Sequence, residues 1–462
     1  MVPKFGTSGL RGLVSELTDG LTAGYVNAFL KSVPHRGVLF IGRDLRPSSL
    51  RLAEAVAAAA ENLGLDVVNC GALPTPALAL AAMSAGAPAV MVTGSHIPAD
   101  RNGLKFYKAD GEITKADEAA ILASYDGEAV LPSAQLGAAP DALQSYARRY
   151  LGYFAAGALS GLRVGLWQHS SVARDLLDRV LIALGAETVP LGRSEEFVPV
   201  DTEAVSDETR ALLASWAHEH RLHAIVSTDG DADRPLVADA EGRVVPGDVL
   251  GLLTAWALGA GTVVTPLSSN TVIEASGAFA QVIRTRIGSP YVIEAMEVAR
   301  RDPAARVVGF EANGGFLLGF EASGSGDSVA PLMTRDAFLP ILVPLAETAA
   351  RGKPLSALVA ALPNRHTASD RLQNTPSERS SDLVARLAAD AEERARFFAG
   401  LGPETALDLT DGLRVTFTSG AIAHLRPSGN APELRAYAEA SSESNAAALV
   451  RQLLSRARDA LT

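Results

Sequence analysis

The sequence predicts an α/β fold: three related β/α domains in series, then a smaller α+β domain. Two observations carry this. An order of strand, cap, helix, Gly stop and second strand recurs three times at about one-domain spacing, and the pattern changes after about residue 363. In the first copy, residues 38–41 are an apolar strand ending at Gly42-Arg43-Asp44. Ser48 or Ser49 caps a helix running to about Leu63, Gly64 stops it, and residues 66–68 open the next strand. In the second copy residues 163–166 are the strand, Ser170 or Ser171 the cap, 173–184 the helix, Gly185 the stop and 187–189 the second strand. Leu63-Gly64-Leu65-Asp66-Val67-Val68 and Leu184-Gly185-Ala186-Glu187-Thr188-Val189 align residue for residue. A weaker third copy runs from Thr262 through Asn270, a helix to about Phe279, and residues 281–284. A solenoid would repeat at a far shorter period, and crossover helices imply parallel pairing within each copy. Beyond it, residues 364–381 are polar, 380–398 read as a helix, 414–417, 421–425 and 434–438 as strands, and 444–461 as a last helix. The expected domains are 1–150, 151–248, 249–365 and 366–462, with a linker near the Pro-containing stretch 132–140.

Composition excludes several classes. At 462 residues, 48% of them hydrophobic, the chain can build sizeable cores. A single cysteine, Cys70, excludes a disulfide scaffold and a Cys-rich zinc module. A net charge of -11 argues against nonspecific nucleic-acid binding and against docking on anionic lipid. A phosphorylated ligand requires a local cluster of Arg and backbone N–H groups. The apolar stretch 72–92 is broken by Pro74, Pro76 and Pro88, and 55–60 is too short to span a bilayer. Residues 1–11 have no apolar core of a signal peptide, so the expected compartment is the cytoplasm.

The sharpest chemical signal is Asp229-Gly230-Asp231-Ala232-Asp233-Arg234, behind the apolar run 224–226. Three carboxylates at alternate positions repel one another unless a cation joins them. Oxygen donors of this kind suit Mg²⁺ and leave positions for a phosphoryl oxygen. Arg234 can offset charge or grip phosphate. An EF-hand fails, with Arg234 at its Gly position and Ala240 at its Glu position. An Asp-x-Asp-x-Thr nucleophile fails at Asp233.

The second signal runs over residues 92–106. A strand at 89–92 ends in a small-residue turn presenting Ser95, and Lys105 is expected to start the next strand. Such a Ser can accept a phosphoryl group, with Lys105 compensating charge or moving protons; an ordinary turn serine is the plain alternative. In the third, residues 424–432, Arg426, Ser428, Gly429 and Asn430 can form an anion nest with an Arg fork. The fourth, residues 309–316, places Glu311 and Asn313 at a Gly-rich turn suited to sugar hydroxyls. The N-terminal residues 4–12 bring Thr7, Ser8 and Arg11 together. His218, His220 and His223 lack a further ligand and read as a solvated face. Walker A and Gly-x-Gly-x-x-Gly patterns are absent.

In this order, and over about residues 4 to 440, these five loops resemble the α-D-phosphohexomutase superfamily, most similar to its bacterial phosphomannomutase branch. The resemblance implies mixed sheets and a central cleft enclosed by four domains. It implies that Ser95 carries a phosphoryl group and that Ser95, Asp229, Asp231 and Asp233 hold Mg²⁺. Arg11, Lys105 and His96 would assist at the phosphoserine. Thr7, Ser8, Arg234, Arg286, Gly288, Glu311, Asn313 and Gly314 would contact substrate, and Arg426, Ser428, Gly429, Asn430 and Arg435 the phosphate not being transferred. The implied reaction interconverts mannose 1-phosphate and mannose 6-phosphate, with hexose 1,6-bisphosphate as activator and intermediate. The implied partners are small hexose phosphates, with neither nucleic acid nor membrane, in a monomer or homodimer. Three features depart from the pattern. The sugar loop often reads Glu-x-Ser-Gly-His, but here Asn313 and Gly315 stand for Ser and His. Asn430 stands where Thr is frequent. Residues 285–294 are similar to the phosphoglucosamine branch. Rival readings are another hexose preference, an Asp229-nucleophile phosphotransferase or hydrolase, and a non-catalytic sugar-phosphate binder.

Overall fold

The computed structural model describes residues 4–6, 9–129, 134, 136–137, 141–428 and 432–461. Thr7, Ser8, Gly429, Asn430 and most of the 132–140 stretch lie outside the described residues. The chain forms two compact units. The first comprises residues 1–264, 279–283 and 288–359, and the second 265–278, 284–287 and 360–462. Among the described residues no helix is long and apolar enough to cross a membrane.

Three mixed sheets share one frame. In the first sheet the strand Val38–Arg43 pairs in parallel with Asp66–Ala72 on one side and Ala89–Val92 on the other. Ala89–Val92 then turns back as the antiparallel strand Arg101–Lys108. In the second sheet Arg163–His169 pairs in parallel with Glu187–Arg193 and Ala224–Thr228, and Ala224–Thr228 turns back as Pro235–Ala238. In the third, Thr262–Pro266 lies between Gln281–Thr285 and the parallel strand Val307–Phe310, which turns back as Phe316–Leu318. The second unit carries an all-antiparallel sheet ordered His366–Leu372, Leu434–Ala440, Ile422–Pro427, Leu413–Phe417 and Glu404–Asp408.

The glycine stops explain where the repeated helices end. Gly64, Gly185 and Gly277 all adopt positive φ, at 77°, 96° and 64°. In the first two copies the residue after the glycine donates its N–H back to the last turn, Leu65 to Ala60 O and Ala186 to Leu181 O, both at 3.0 Å. In the third copy the stop comes early. The helix covers only Val272–Ala275 and not the stretch to Phe279, because Gly277 bends the chain there.

Other expectations are corrected in detail. The helix over 380–398 is two helices, Ser377–Ala389 and Ala391–Phe397, with extended Asp390 between them accepting the N–H groups of Glu392 and Glu393. Strands His366–Leu372 and Glu404–Asp408 were hidden by polar, edge-strand composition. Lys105 lies in the middle of Arg101–Lys108, not at its start.

The first sheet packs helices Asp19–Ser32 and Ser49–Asn62 over a core that includes Phe29, Ile41, Val56 and Phe106. The antiparallel sheet packs Ser377–Ala389 and Glu443–Leu461 around Leu383, Val415, Leu425 and Leu453. In each of the three mixed sheets the reverse turn of the equivalent hairpin carries one of the sequence signals: Ser95 after Ala89–Val92, the aspartates after Ala224–Thr228, and Glu311 after Val307–Phe310.

Candidate active site

Ser95 follows its strand with φ 54°, a left-handed conformation that a side chain adopts only at a cost. The loop is held by a buried ion pair. Asp44, just past Val38–Arg43, accepts from Arg46 Nε and from Thr93 Oγ1, at 3.0 and 2.8 Å. Thr93 Oγ1 in turn accepts the Ser95 N–H at 2.8 Å. Arg46 donates to the carbonyls of Ser95, Ile97, Pro98 and Arg101 at 2.8, 2.6, 2.8 and 3.2 Å. The side chains of Asp44 and Arg46 are wholly buried. Gly94 is required beneath this guanidinium, since a Cβ there would lie 2.5 Å from Arg46 Cζ.

The Ser95 Oγ donates to Asp229 Oδ2 at 2.5 Å. Asp229, Asp231 and Asp233 are wholly buried, and one oxygen from each lies within 4.8 Å of the others. Their loop is set by Asp229 Oδ1, which accepts the N–H groups of Asp233 and Arg234 at 3.2 and 3.3 Å, and by Ala232 at φ 57°. Lys105 Nζ bridges Asp231 Oδ2 at 2.6 Å and Asp233 Oδ2 at 2.5 Å. Thr75 Oγ1 donates to Asp231 Oδ2 at 2.5 Å.

Burial, reinforced by Asp231 and Asp233, pushes the Asp229 carboxyl well above the usual carboxylate range. Burial also disfavours charge on Asp231, but Lys105, Thr75 and Arg11 together hold that carboxyl below the usual range. The residues fit a hard divalent cation on two counts. All three donors are carboxylates, and Asp231 Oδ1 and Asp233 Oδ1 are buried without a hydrogen-bond partner. Among the described residues this is the one His/Cys/Asp/Glu group close enough to hold a metal ion. His223 instead accepts the Arg163 N–H on Nδ1 at 2.8 Å.

Arg11 lies opposite Gly103 across its strand pair, and its Nη1 is buried without a hydrogen-bond partner. Burial lowers its pKa to about 10, against the pull of Asp231. His96 Nδ1 lies 3.5 Å from Ser95 Oγ and 3.0 Å from Arg234 Nη1. Burial and then Arg234 lower the imidazole to about 3, so it is neutral at physiological pH.

In the sugar-loop candidate, Asn313 Oδ1 accepts the Gly315 N–H at 3.0 Å, and Gly314 turns at φ 85°. Glu311 and Asn313 are buried. Arg335 Nη1 donates to Glu311 Oε2 at 3.3 Å, and Arg335 Nη2 pairs with Asp233 Oδ2 at 2.8 Å. Gly288, at φ 134°, forms the N-cap of helix Ser289–Ala299.

The first unit therefore gathers Ser95, His96, Arg11, Lys105, the three aspartates, Arg234 and Glu311 into one bonded or charge-coupled cluster. Residues 286, 426, 428 and 435 belong to the second unit. There Arg426 and Arg435 face each other across paired strands. Arg426 Nε binds Asp411 Oδ1 at 2.9 Å, the Ile287 N–H binds Asp411 Oδ2 at 2.8 Å, and Arg286 Nε binds the Thr410 carbonyl at 3.1 Å. The Ser428 N–H donates to Glu433 O at 2.9 Å.

Sequence reasoning missed Asp44, Arg46, Thr75, Arg335 and Asp411. Arg335-Asp336 did carry a signal, as two charges inside the apolar run 332–339 must find partners when buried.

Four phosphoglucomutase/phosphomannomutase domain families match in order: alpha/beta/alpha domain I at residues 2–130, II at 144–242, III at 246–366 and the C-terminal domain at 375–455. A phosphomannomutase of Sinorhizobium fredii is 48% identical over 453 residues, covering 95% of each chain. A phosphomannomutase of Salmonella muenchen is 44% identical, covering 99% of this chain and 96% of its own. The crystal structure of a phosphoglucomutase/phosphomannomutase family protein from Burkholderia thailandensis superposes with a TM-score of 0.77 at 21% identity, covering 100% and 98% of the two chains, and shares the fold. With four domain families in order and near-full-length relatives at this identity, the chain belongs to the phosphoglucomutase/phosphomannomutase family.

Proposed function

We propose that this protein interconverts mannose 1-phosphate and mannose 6-phosphate through a phosphoserine at Ser95 and a hexose 1,6-bisphosphate intermediate. The observation that carries the reading is the buried Ser95 Oγ, hydrogen-bonded to one member of a carboxylate trio that lacks partners on two of its oxygens. In the forward step the bond between phosphorus and Ser95 Oγ breaks, and a bond forms from phosphorus to the free sugar hydroxyl. The hydroxyl loses a proton and Ser95 regains one, so the step balances. The bisphosphate then turns round, and its other phosphoryl group returns to Ser95 by the same path.

Asp229, Asp231, Asp233 and the phosphorylated Ser95 would hold Mg²⁺, which when bound draws charge from the transferring phosphoryl oxygens. Lys105 and Arg11 supply fixed positive charge beside the trio. Arg234 holds the neutral His96 ring beside Ser95. Glu311 and Asn313 take sugar hydroxyls, and Arg426, with Ser428, Arg435 and the adjoining loop, grips the phosphate at rest. Domains over residues 1–150, 151–248, 249–365 and 366–462 would each carry one of the loops that do this work.

The test is ³¹P NMR of the protein with Mg²⁺, a trace of hexose 1,6-bisphosphate, and mannose, glucose or glucosamine 1-phosphate in separate tubes. Conversion of mannose 1-phosphate to the 6-phosphate, abolished by Ser95→Ala, is expected. Turnover of glucosamine 1-phosphate alone would move the protein to another branch of the family. Release of inorganic phosphate would refute the mutase mechanism. A Ser95→Ala protein that retains turnover would place the nucleophile on Asp229.

A further inference from the structure

We propose that Arg335 is a positioning residue that ties the sugar loop to the cation-binding loop and fixes Glu311 relative to Asp233. Its side chain is 2% exposed, and its guanidinium reaches two loops at once: Asp233 Oδ2 at 2.8 Å and Glu311 Oε2 at 3.3 Å. A third carboxylate, Glu112 Oε1, stands 3.9 Å from its Nε. Glu112 is itself fixed by Thr334 Oγ1 at 2.9 Å and Ser289 Oγ at 3.1 Å. Arg335 thus lies among three carboxylates from three separate elements. Burial opposes its charge, and Asp233, Glu112 and Glu311 overcome that and keep the guanidinium protonated.

Two further features place this side chain. The neighbouring Asp336 is saturated by Tyr146 Oη at 2.5 Å, Tyr150 Oη at 2.7 Å and the Phe338 N–H at 2.9 Å, which pins the backbone at Arg335. Gly315 leaves the path of the Arg335 stem open. A Cβ at 315 would lie 2.8 Å from Arg335 Cδ, 2.9 Å from Cγ and 3.1 Å from Cβ. A planar fork joins two carboxylates at fixed angles, which an ammonium does not. Phosphoryl transfer from Ser95 depends on that spacing, because Glu311 orients the sugar that carries the accepting hydroxyl. The inference rests on the mutase reading for its activity arm alone.

The experiment compares Arg335→Met, Arg335→Lys and Gly315→Ala in the full-length protein. Two readouts are taken: steady-state kinetics with mannose 1-phosphate, and Mn²⁺ binding by electron paramagnetic resonance without substrate. Arg335→Met is expected to lower kcat/KM by about 100-fold through misplacement at the reacting centre. It is also expected to tighten Mn²⁺ binding by about tenfold, because a competing cation leaves Asp233. Arg335→Lys should recover the Mn²⁺ affinity of the parent but not its kcat/KM. Gly315→Ala displaces the stem, keeps the charge, and should lower kcat/KM as well. Opposite signs in the two readouts distinguish positioning from a structural role, in which a loosened site weakens both. Weaker Mn²⁺ binding together with lower activity would overturn the proposal, as would Met and Lys variants within about twofold of the parent in both readouts. The Mn²⁺ arm needs no turnover, so a parent that fails to isomerise mannose 1-phosphate refutes the mutase reading and leaves this arm to decide on Arg335. Should Arg335→Met fail to fold, Gly315→Ala and Arg335→Lys decide the matter.

Discussion

Replacing Arg46 with Met tests whether the Ser95 loop is shaped by the buried ion pair beneath it. The substitution keeps the apolar stem but removes the donors to four carbonyls, of Ser95, Ile97, Pro98 and Arg101, and strands Asp44. Removing one partner of a buried pair costs about 3–5 kcal/mol. Asp44 keeps its bonds from Ser49 Oγ and Thr93 Oγ1, which offset part of the loss, so about 4 kcal/mol is a fair central value. At roughly 2 °C per kcal/mol for a unit of this size, the melting temperature falls by roughly 8 °C. Differential scanning calorimetry measures this, and intact-protein mass spectrometry after incubation with hexose 1,6-bisphosphate measures phosphate uptake on Ser95. Uptake should be lost even well below the melting temperature, because Ser95 needs the carbonyl clamp to hold φ at 54°. Arg46→Lys should recover part of the stability and little of the uptake, since one ammonium cannot span four carbonyls. An Arg46→Met protein that melts within about 2 °C of the parent and still takes up phosphate would refute the reasoning.

Three further outcomes are expected. Asp411→Ala frees Arg426 and the Ile287 N–H, so it should raise KM for mannose 1-phosphate about tenfold with kcat little changed, read by initial rates. Burial lowers His424 to about 4 against the pull of Asp411, with Arg414 and Arg426 adding to the lowering, so the unfolded chain takes up a proton between about pH 6.5 and pH 4 that the folded chain does not. Stability should therefore be full above about pH 6.5 and fall as the pH drops toward 4, by up to about 3 kcal/mol from this group; urea midpoints in His424→Gln should show a flatter slope over that window. Cys70 is buried and its thiol pushed up to about 12, so it should resist a thiol-reactive disulfide reagent at pH 8 until urea unfolds the chain.

The contrast between Asp229 and Arg46 shows what the sequence makes legible. Three aspartates at alternate positions announce themselves because their repulsion demands a nearby cause within six residues. Gly64 and Gly185 are equally legible, since a glycine after an apolar helix has a local backbone meaning. Arg46 has no local meaning: its carbonyl partners lie 49 to 55 positions onward, and only the folded hairpin brings them beneath it. Arg335 is the same case at greater range, with Asp233 about a hundred residues earlier and in another sheet. Strand His366–Leu372 was illegible for a different reason. It is an edge strand with mostly half-buried and exposed residues, so its sequence carries no apolar alternation. The third helix stops short of Phe279 because Gly277, at positive φ, turns the chain there.

One hairpin frame recurs in the three mixed sheets with different chemistry at each turn. Its turn carries Ser95 in the first sheet, the three aspartates in the second and Glu311 in the third, so one backbone frame presents three kinds of side chain. Each turn hangs between two paired strands, yet the turns are tied to one another: Ser95 reaches Asp229, and Arg335 joins Asp233 to Glu311. On the proposed function, a graft of residues 311–315 from a relative would carry a sugar preference with it only if residue 315 still leaves room for the Arg335 stem.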